Sequence, residues 1–339
     1  MQLKVQISTF SKLGNYILDN SNENEIKSLT ASVRNENAWF TEDNVRLALE
    51  NISKVFLNKQ ILEEFIAKHG IIVNNSPKKI GLVLAGNIPA VGFHDLLCVL
   101  LSGNIALLKL SSGDSVLMKF LINKLIELNP DFREIIRIVE RLNDADALIT
   151  TGSDNTAKHF EYYFAKKPNI IRKNRSSVAI FRGDETRTDL GNLGNDIFQY
   201  FGLGCRNVSK FYVPQGYTFD KFYEAIEYWN TICLHHKYNN NYDYNKSIYL
   251  VNGVKHLDNG FLLLKEDKAL VSPISVCFWE TYNNEAHLKE LIKNQAEKIQ
   301  CIVSKNGFFE NSYSFGDAQM PNLEDFADGI DTMKFLKNV

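Results

Sequence analysis

From Ile80 onward the chain alternates short apolar runs with stretches long enough for a helix, and this rhythm constrains its fold more than any other feature. The runs Ile80–Ala85, Ile105–Leu110, Ile135–Val139, Ala147–Thr151 and Val178–Phe181 are β-rich, and most are separated by segments of helical length. A strand that returns parallel to its neighbour needs a crossover of about a dozen residues, usually a helix. The alternation therefore predicts an α/β fold with helices on both faces of a parallel sheet. Beyond a helix ending near Phe201 it resumes with Lys210–Val213, Ile248–Val251, Phe261–Leu264, Ile274–Trp279 and Ile299–Val303, a second α/β unit. Residues 1 to about 70 differ: apolar positions recur at helical spacing in Phe10–Leu18 and Val45–Ile52, which predicts a helical lead-in. The polar and aromatic run Tyr238–Asn245 reads as an exposed loop.

At 339 residues the chain has room for two such domains, and a net charge of −2 gives no reason to expect nucleic acid as a partner. Its five cysteines are scattered without a CxxC pair, so neither a disulfide framework nor a zinc or other metal site is expected. Reduced thiols and a polar-interrupted N-terminus place the protein in the cytoplasm. The most apolar region, Ile80 to Leu110, carries Asn87, Pro89, His94, Asp95 and Asn104, too many polar groups for a membrane span.

Four stretches carry candidate chemistry. In Tyr200-Phe201-Gly202-Leu203-Gly204-Cys205-Arg206-Asn207 a single thiol stands between glycines and an arginine where a helix gives way to a strand. Cys205 is either a nucleophile, with glycines admitting a carbonyl and Arg206 favouring the thiolate, or a small buried hydrophobe. Asn87, in Leu84-Ala85-Gly86-Asn87-Ile88-Pro89, follows a strand. It either donates to an oxyanion, with the Cys205 backbone N–H as second donor, or caps a helix that Pro89 starts. Lys109, in Leu108-Lys109-Leu110-Ser111, either meets a nucleotide ribose or phosphate or extends its head to water. The Thr151-Gly152-Ser153 turn, running into a helix, suits phosphate or is a simple cap. There is no GxGxxG fingerprint and no P-loop, so neither the usual dinucleotide grip nor a P-loop ATPase is expected. The basic run Arg172, Lys173 and Arg175 either meets phosphates or is a solvated face, and His94 is an acid near the site or a satisfied core histidine.

In this order, the four stretches resemble the aldehyde dehydrogenase superfamily, and within it the long-chain acyl-CoA reductase (LuxC-like) branch, over roughly residue 70 to the C-terminus. The branch is suggested by Ala85–Pro89 followed by Gly92-Phe93-His94-Asp95, by Gly202–Lys210, and by Ala327–Met333. The resemblance implies an aldehyde-dehydrogenase-like α/β fold with two Rossmann-like parallel-sheet domains. Residues 1–187 would hold the helices and the NADP(H)-binding domain, completed by 305–339, and 188–304 would be the catalytic domain, with the active site in the cleft. It implies Cys205 as nucleophile and Asn87 as oxyanion donor. Lys109 and Ser111 would hold the adenosine ribose, Thr151, Gly152 and Ser153 would lie by the cofactor, and Arg172, Arg175, Arg206 and His94 are candidates for substrate or phosphate. The implied reaction is reduction of a fatty acyl-CoA to the aldehyde with NADPH, by a homo-oligomer (dimer or tetramer) that an acyl-donating partner enzyme could feed.

Two departures from the superfamily refine this. Its acid-forming members carry a glutamate that activates water, whereas Ile170–Ser177 here has no carboxylate. Hydrolytic deacylation would lack its base, which a thioester reductase does not need. Nor does Ala269–Pro273 carry the glutamate that would hold the nicotinamide ribose. The rival expectations are an acyl-phosphate reductase of the glutamyl-phosphate type and a non-catalytic nucleotide-binding subunit of the same fold.

Overall fold

A computed structural model describes residues 2–71, 74, 76–152 and 154–339, with the backbone alone for 154–156. The chain divides into two compact units, residues 1–174 with 322–339, and residues 175–321. The sequence-based division at 187/188 and 304/305 differs from this at both ends. Strand pairing moves it, because the segments 176–180 and 313–314 are hydrogen-bonded into the second sheet.

The first unit opens with four helices, α1 (Leu3–Leu18), α2 (Glu23–Glu36), α3 (Glu42–Asn51) and α4 (Lys59–His69), as the apolar spacing predicted. Local signals fix their ends. Thr41 accepts from the Asn44 N–H at the start of α3, and Asn58 accepts from Gln60 and Ile61 at the start of α4, which stops at a left-handed Gly70. There follow β1 (Lys79–Val83), α5 (Phe93–Leu101), β2 (Ile105–Lys109), α6 (Ser115–Leu128), α7 (Phe132–Ile135), β3 (Ile136–Ile138), β4 (Ala147–Thr151), α8 (Asp154–Phe164) and β5 (Asn169–Arg172). The five strands are all parallel, in the order β3-β2-β1-β4-β5. Both faces of β1 and β2 are covered, hence their unbroken apolar runs. Ile80, Leu82, Ala106 and Leu108 join α1, α5 and α6 on one side, while Leu107 and Leu148 meet Leu142 and Ala145 on the other.

The second unit contains β6 (Ser176–Ile180), α9 (Arg187–Phe198), β7 (Val208–Pro214), α10 (Asp220–Ile226), α11 (His236–Val251), β8 (Leu257–Asp258), β9 (Leu263–Glu266), β10 (Val276–Tyr282), α12 (Glu285–Gln295), β11 (Ile299–Ser304) and β12 (Tyr313–Ser314). Its sheet order is β12-β11-β6-β7-β10-β9-β8, parallel except for the β8/β9 pair. The chain then returns to the first unit with α13 (Thr332–Lys337), which packs on α5.

Two expectations fail at one place. Tyr238–Asn245 is not an exposed loop and Ile248–Val251 is not a strand; together they make α11. The buried residues Tyr238, Tyr242, Asn245 and Tyr249 recur every three or four positions and form its inner face. Three of them also make polar contacts from that face. Tyr238 Oη donates to Phe261 O at 2.9 Å, Tyr242 Oη to Asp258 at 2.7 Å, and Asn245 Nδ2 to Ile274 O at 3.0 Å. A helix face built from tyrosine and asparagine carries the right period in residues that do not read as apolar. β5 and the two-residue strands β8 and β12 were also absent from the sequence reading.

Candidate active site

In the first unit the sheet order reverses direction between β1 and β4, and in open parallel sheets the crevice at such a switch point, beyond the carboxyl ends of the strands, is where ligands bind. Four of the sequence-predicted residues are brought to those ends. Lys109 ends β2 and is exposed, Thr151 ends β4, and Gly152 follows it. Val83, the last residue of β1, pairs with both Lys109 and Thr150. Asn87, exposed, lies on the loop just after β1. Helix α5 begins only at Phe93, with Gly92 at its N-cap position, so Asn87 does not cap it and Pro89 does not open it. Ser153 lies outside the described residues.

The two loops of this edge rest on each other. A Cβ on Gly86 would overlap the Ser111 hydroxyl and stand 3.3 Å from Asp114 Cβ, so the backbone can come this close only at glycine. Ser111 Oγ in turn accepts from the Gly113 N–H at 3.2 Å. Lys109, Ser111, Thr151 and Gly152 thus all lie at or just past the carboxyl ends of β2 and β4.

Two other candidates in this unit face inward. Arg172 is 3% exposed; its guanidinium makes a two-pronged bond to Asp95 and donates to Thr332 Oγ1 at 3.1 Å. Burial alone would lower its pKa, but Asp95 raises it above the ordinary value. That charge is spent inside the fold and does not meet a phosphate. His94, partly buried, has Nε2 2.9 Å from Leu323 O and its ring against Phe56 and Phe326. Desolvation lowers its pKa despite nearby Asp95, so it is the satisfied core histidine of the two readings.

In the second unit, Cys205 sits on the turn between α9 and β7, as the sequence predicted. It is partly exposed, whereas Cys98, Cys277 and Cys301 are buried. Three consecutive residues before it, Tyr200, Phe201 and Gly202, have φ of 53°, 58° and 75°. Left-handed backbone costs an ordinary residue roughly 1–2 kcal/mol, and two non-glycine residues adopt it here. Asn207, 2% exposed, holds the turn in shape. Its Oδ1 accepts from the Gly204 N–H at 2.8 Å, and its Nδ2 donates to the carbonyls of Asp196, Ile197 and Gln199 at the end of α9. The Asp196 carboxylate extends the network by accepting from the N–H groups of Gly316 and Ala318 at 2.7 and 3.0 Å. Burial pushes Asp196 up to about 7 against those two bonds.

Arg206 donates through Nε to the Ala318 carbonyl, with its guanidinium carbon 4.9 Å from the Tyr313 ring centre. Arg175 Nη1 donates to Ile299 O at 3.3 Å. A neighbouring thiol, Cys301, lies 2.9 Å from Ser177 Oγ, which also donates to Cys205 O at 3.0 Å. Burial lifts Cys301 to about 11, so it stays a thiol at neutral pH. Asn207 stands in the Tyr200–Asn207 stretch, where sequence reasoning assigned it no role. The available signal was a side chain able both to donate and to accept, two residues past a turn cysteine.

A family model described as acyl-CoA reductase (LuxC) matches residues 9–221, more than half of the chain. No curated protein matches it. Among solved structures, aldehyde dehydrogenase 21 from Physcomitrella patens, in complex with the reaction product succinate, is 15% identical; the alignment covers 100% of this chain and 84% of that one, with a TM-score of 0.71. A putative aldehyde dehydrogenase from Burkholderia cenocepacia is 14% identical over 94% of this chain and 76% of its own, with a TM-score of 0.65. The NAD+ complex of an aldehyde dehydrogenase from Bacillus cereus is 12% identical over 90% and 72%, with a TM-score of 0.62. At these identities the likeness is one of fold.

Proposed function

The chain belongs to the acyl-CoA reductase (LuxC) family, an oxidoreductase of aldehyde dehydrogenase fold, and we propose on that footing that it reduces a long-chain fatty acyl-CoA to the aldehyde with NADPH. Cys205 attacks the acyl carbonyl as a thiolate, its sulfur–carbon bond forming as the bond to the coenzyme A sulfur breaks. Coenzyme A leaves as a thiolate of similar basicity, so the exchange needs position and oxyanion stabilisation more than a strong base. The amide of Asn87 and the backbone N–H of Cys205 donate to the oxyanion. The nicotinamide nucleotide, when bound, supplies a hydride to the acyl carbon. Collapse of the resulting thiohemiacetal releases the aldehyde and returns the Cys205 thiolate.

What supports this reading most is Cys205 itself, a partly exposed thiol on a turn fixed by four hydrogen bonds from Asn207. β5 supplies no carboxylate, and its one charged side chain, Arg172, is committed to Asp95. Among the described residues no helix is long and apolar enough to cross a membrane. We take the enzyme to be cytoplasmic and homo-oligomeric, supplied with fatty acyl-CoA directly or by an acyl-donating partner.

The test has two arms. Acyl-CoAs of graded chain length should consume NADPH, and acyl-CoA without NADPH should leave an acyl mass on Cys205. Turnover of acyl-phosphate in place of acyl-CoA would redirect the reading to the glutamyl-phosphate type. Aldehyde given with NADP+ should be oxidised only when coenzyme A is present, since unactivated water forgoes roughly a hundred- to ten-thousandfold of general-base help. Rapid acid formation without coenzyme A would make this an ordinary aldehyde dehydrogenase.

A further inference from the structure

Asp114 occupies the N-cap position of α6, where an aspartate ordinarily accepts N–H bonds from its own helix, yet it makes no such bond. Glu36, the last residue of α2, does that work instead, accepting from Ser115 Oγ at 2.5 Å and from the Val116 N–H at 3.0 Å. The freed Asp114 carboxyl turns to the neighbouring loop, and Oδ2 accepts from the Ala90 N–H at 3.0 Å. Ala90 has φ of 52° and ends the Gly86–Ala90 loop that carries Asn87. Oδ1 is buried with no partner among the described residues, and the whole residue is 1% exposed. Asn37 Nδ2 donates to Gly113 O at 3.1 Å, so the lead-in helices brace the same turn from outside.

We infer that Asp114 is a positioning residue whose carboxyl latches the loop bearing Asn87 to the loop that follows Lys109 and carries Ser111, so that the two loops move as one body. Its link to catalysis rests on the roles given to Asn87 and Lys109 above; the latch itself does not. An ionised carboxylate with one bare buried oxygen would be costly. Burial pushes this carboxyl up to about 8, against the Ala90 bond and with the charge of Glu36 adding to the rise; Glu36 is the charged group facing it from the packed elements. At neutral pH the latch is therefore mostly a neutral acid. Because its folded pKa lies above that of an unfolded aspartate, the folded chain keeps a proton that the unfolded chain gives up. Its stabilising share is full below about pH 4 and is lost as pH climbs through about 8.

Hydrogen exchange of the full chain, followed in the segment 86–93 and corrected for intrinsic rates, tests this in wild type, Asp114→Asn and Asp114→Ala. The amide variant keeps an oxygen for Ala90 and cannot ionise. Between pH 7 and pH 9 the segment should lose about tenfold of its protection in wild type and keep it in Asp114→Asn. In Asp114→Ala it should be less protected than in either of the others at pH 7. Saturating NADP+ should slow exchange in 86–93 in wild type and Asp114→Asn but not in Asp114→Ala, and the ratio of kcat/KM between Asp114→Asn and wild type should rise over the same pH interval. Equal protection in all three proteins, or a flat wild-type pH dependence, overturns the latch. If NADP+ fails to bind at all, the cofactor assignment falls while the pH arm still decides the latch.

Discussion

In the first unit Lys109 and Thr151 end strands and the Gly86–Ala90 loop follows one, whereas in the second Cys205 precedes the amino end of β7. Residues of the first kind take their positions from register: Val83 fixes Lys109 and Thr150 on either side of it, and the crevice comes with the strand order. Cys205 has no such inheritance. Its place is made locally, by two left-handed aromatic residues, a glycine and the hydrogen bonds of Asn207. Register holds the strand ends whatever side chain stands at Lys109 or Thr151, whereas the Cys205 turn depends on the Asn207 side chain.

Removing the reacting atom itself should have the largest effect. Cys205→Ser should lower acyl-CoA reduction by at least about a thousandfold with nucleotide affinity and melting temperature unchanged, because a hydroxyl is a far weaker nucleophile at neutral pH. Near wild-type rates would remove Cys205 from the chemistry.

A paired substitution then separates the two kinds of placement. Asn207→Ala should cost about a hundredfold in the acylation rate through misplacement of the thiol, and about 1–3 kcal/mol of stability through stranded backbone groups. Asn87→Ala should also cost about a hundredfold in acylation, as loss of one oxyanion donor does, with no change in melting temperature. Stopped-flow acylation beside thermal melts reads both quantities. If Asn87→Ala melts lower and Asn207→Ala does not, the contrast between the units is reversed.

The smallest effect belongs to the rim of the first unit. Lys109→Met should weaken nucleotide binding about tenfold, the scale of a hydrogen bond from a charged donor, and leave single-turnover acylation of Cys205 intact. Calorimetric titration with NADPH and NADP+ measures it, and unchanged affinity would return Lys109 to the solvent-directed reading.

The same contrast explains what the sequence disclosed. β1, β2 and β4 were legible because strands covered on both faces are continuous in leucine, isoleucine and valine, and their carboxyl ends then marked the loops worth inspecting. α11 was not, since its buried face is written in tyrosine and asparagine. Nor could the fate of Arg172 be read from its basic surroundings. Its partners Asp95 and Thr332 lie 77 and 160 residues away in sequence, and only the folded chain shows that the charge is already met. The thiol turn was recognisable from glycines and cysteine alone. Its support came from Asn207, whose work depends on three carbonyls at a helix end that no residue pattern announces.

The Arg172–Asp95–Thr332 clasp also bears on the order in which the chain can mature during synthesis. Residues 175–321 form their unit without interruption, so it can close as soon as they have left the ribosome. The unit that begins earlier must wait longer, because α13 and Thr332 arrive only after all of the later unit has been made. Until then Arg172 and Asp95 lack their third partner and α5 lacks the helix that covers it. The unit that begins earlier is thus the last to be completed, and a nascent chain stalled just short of residue 322 would carry a finished thiol turn and an unfinished first unit.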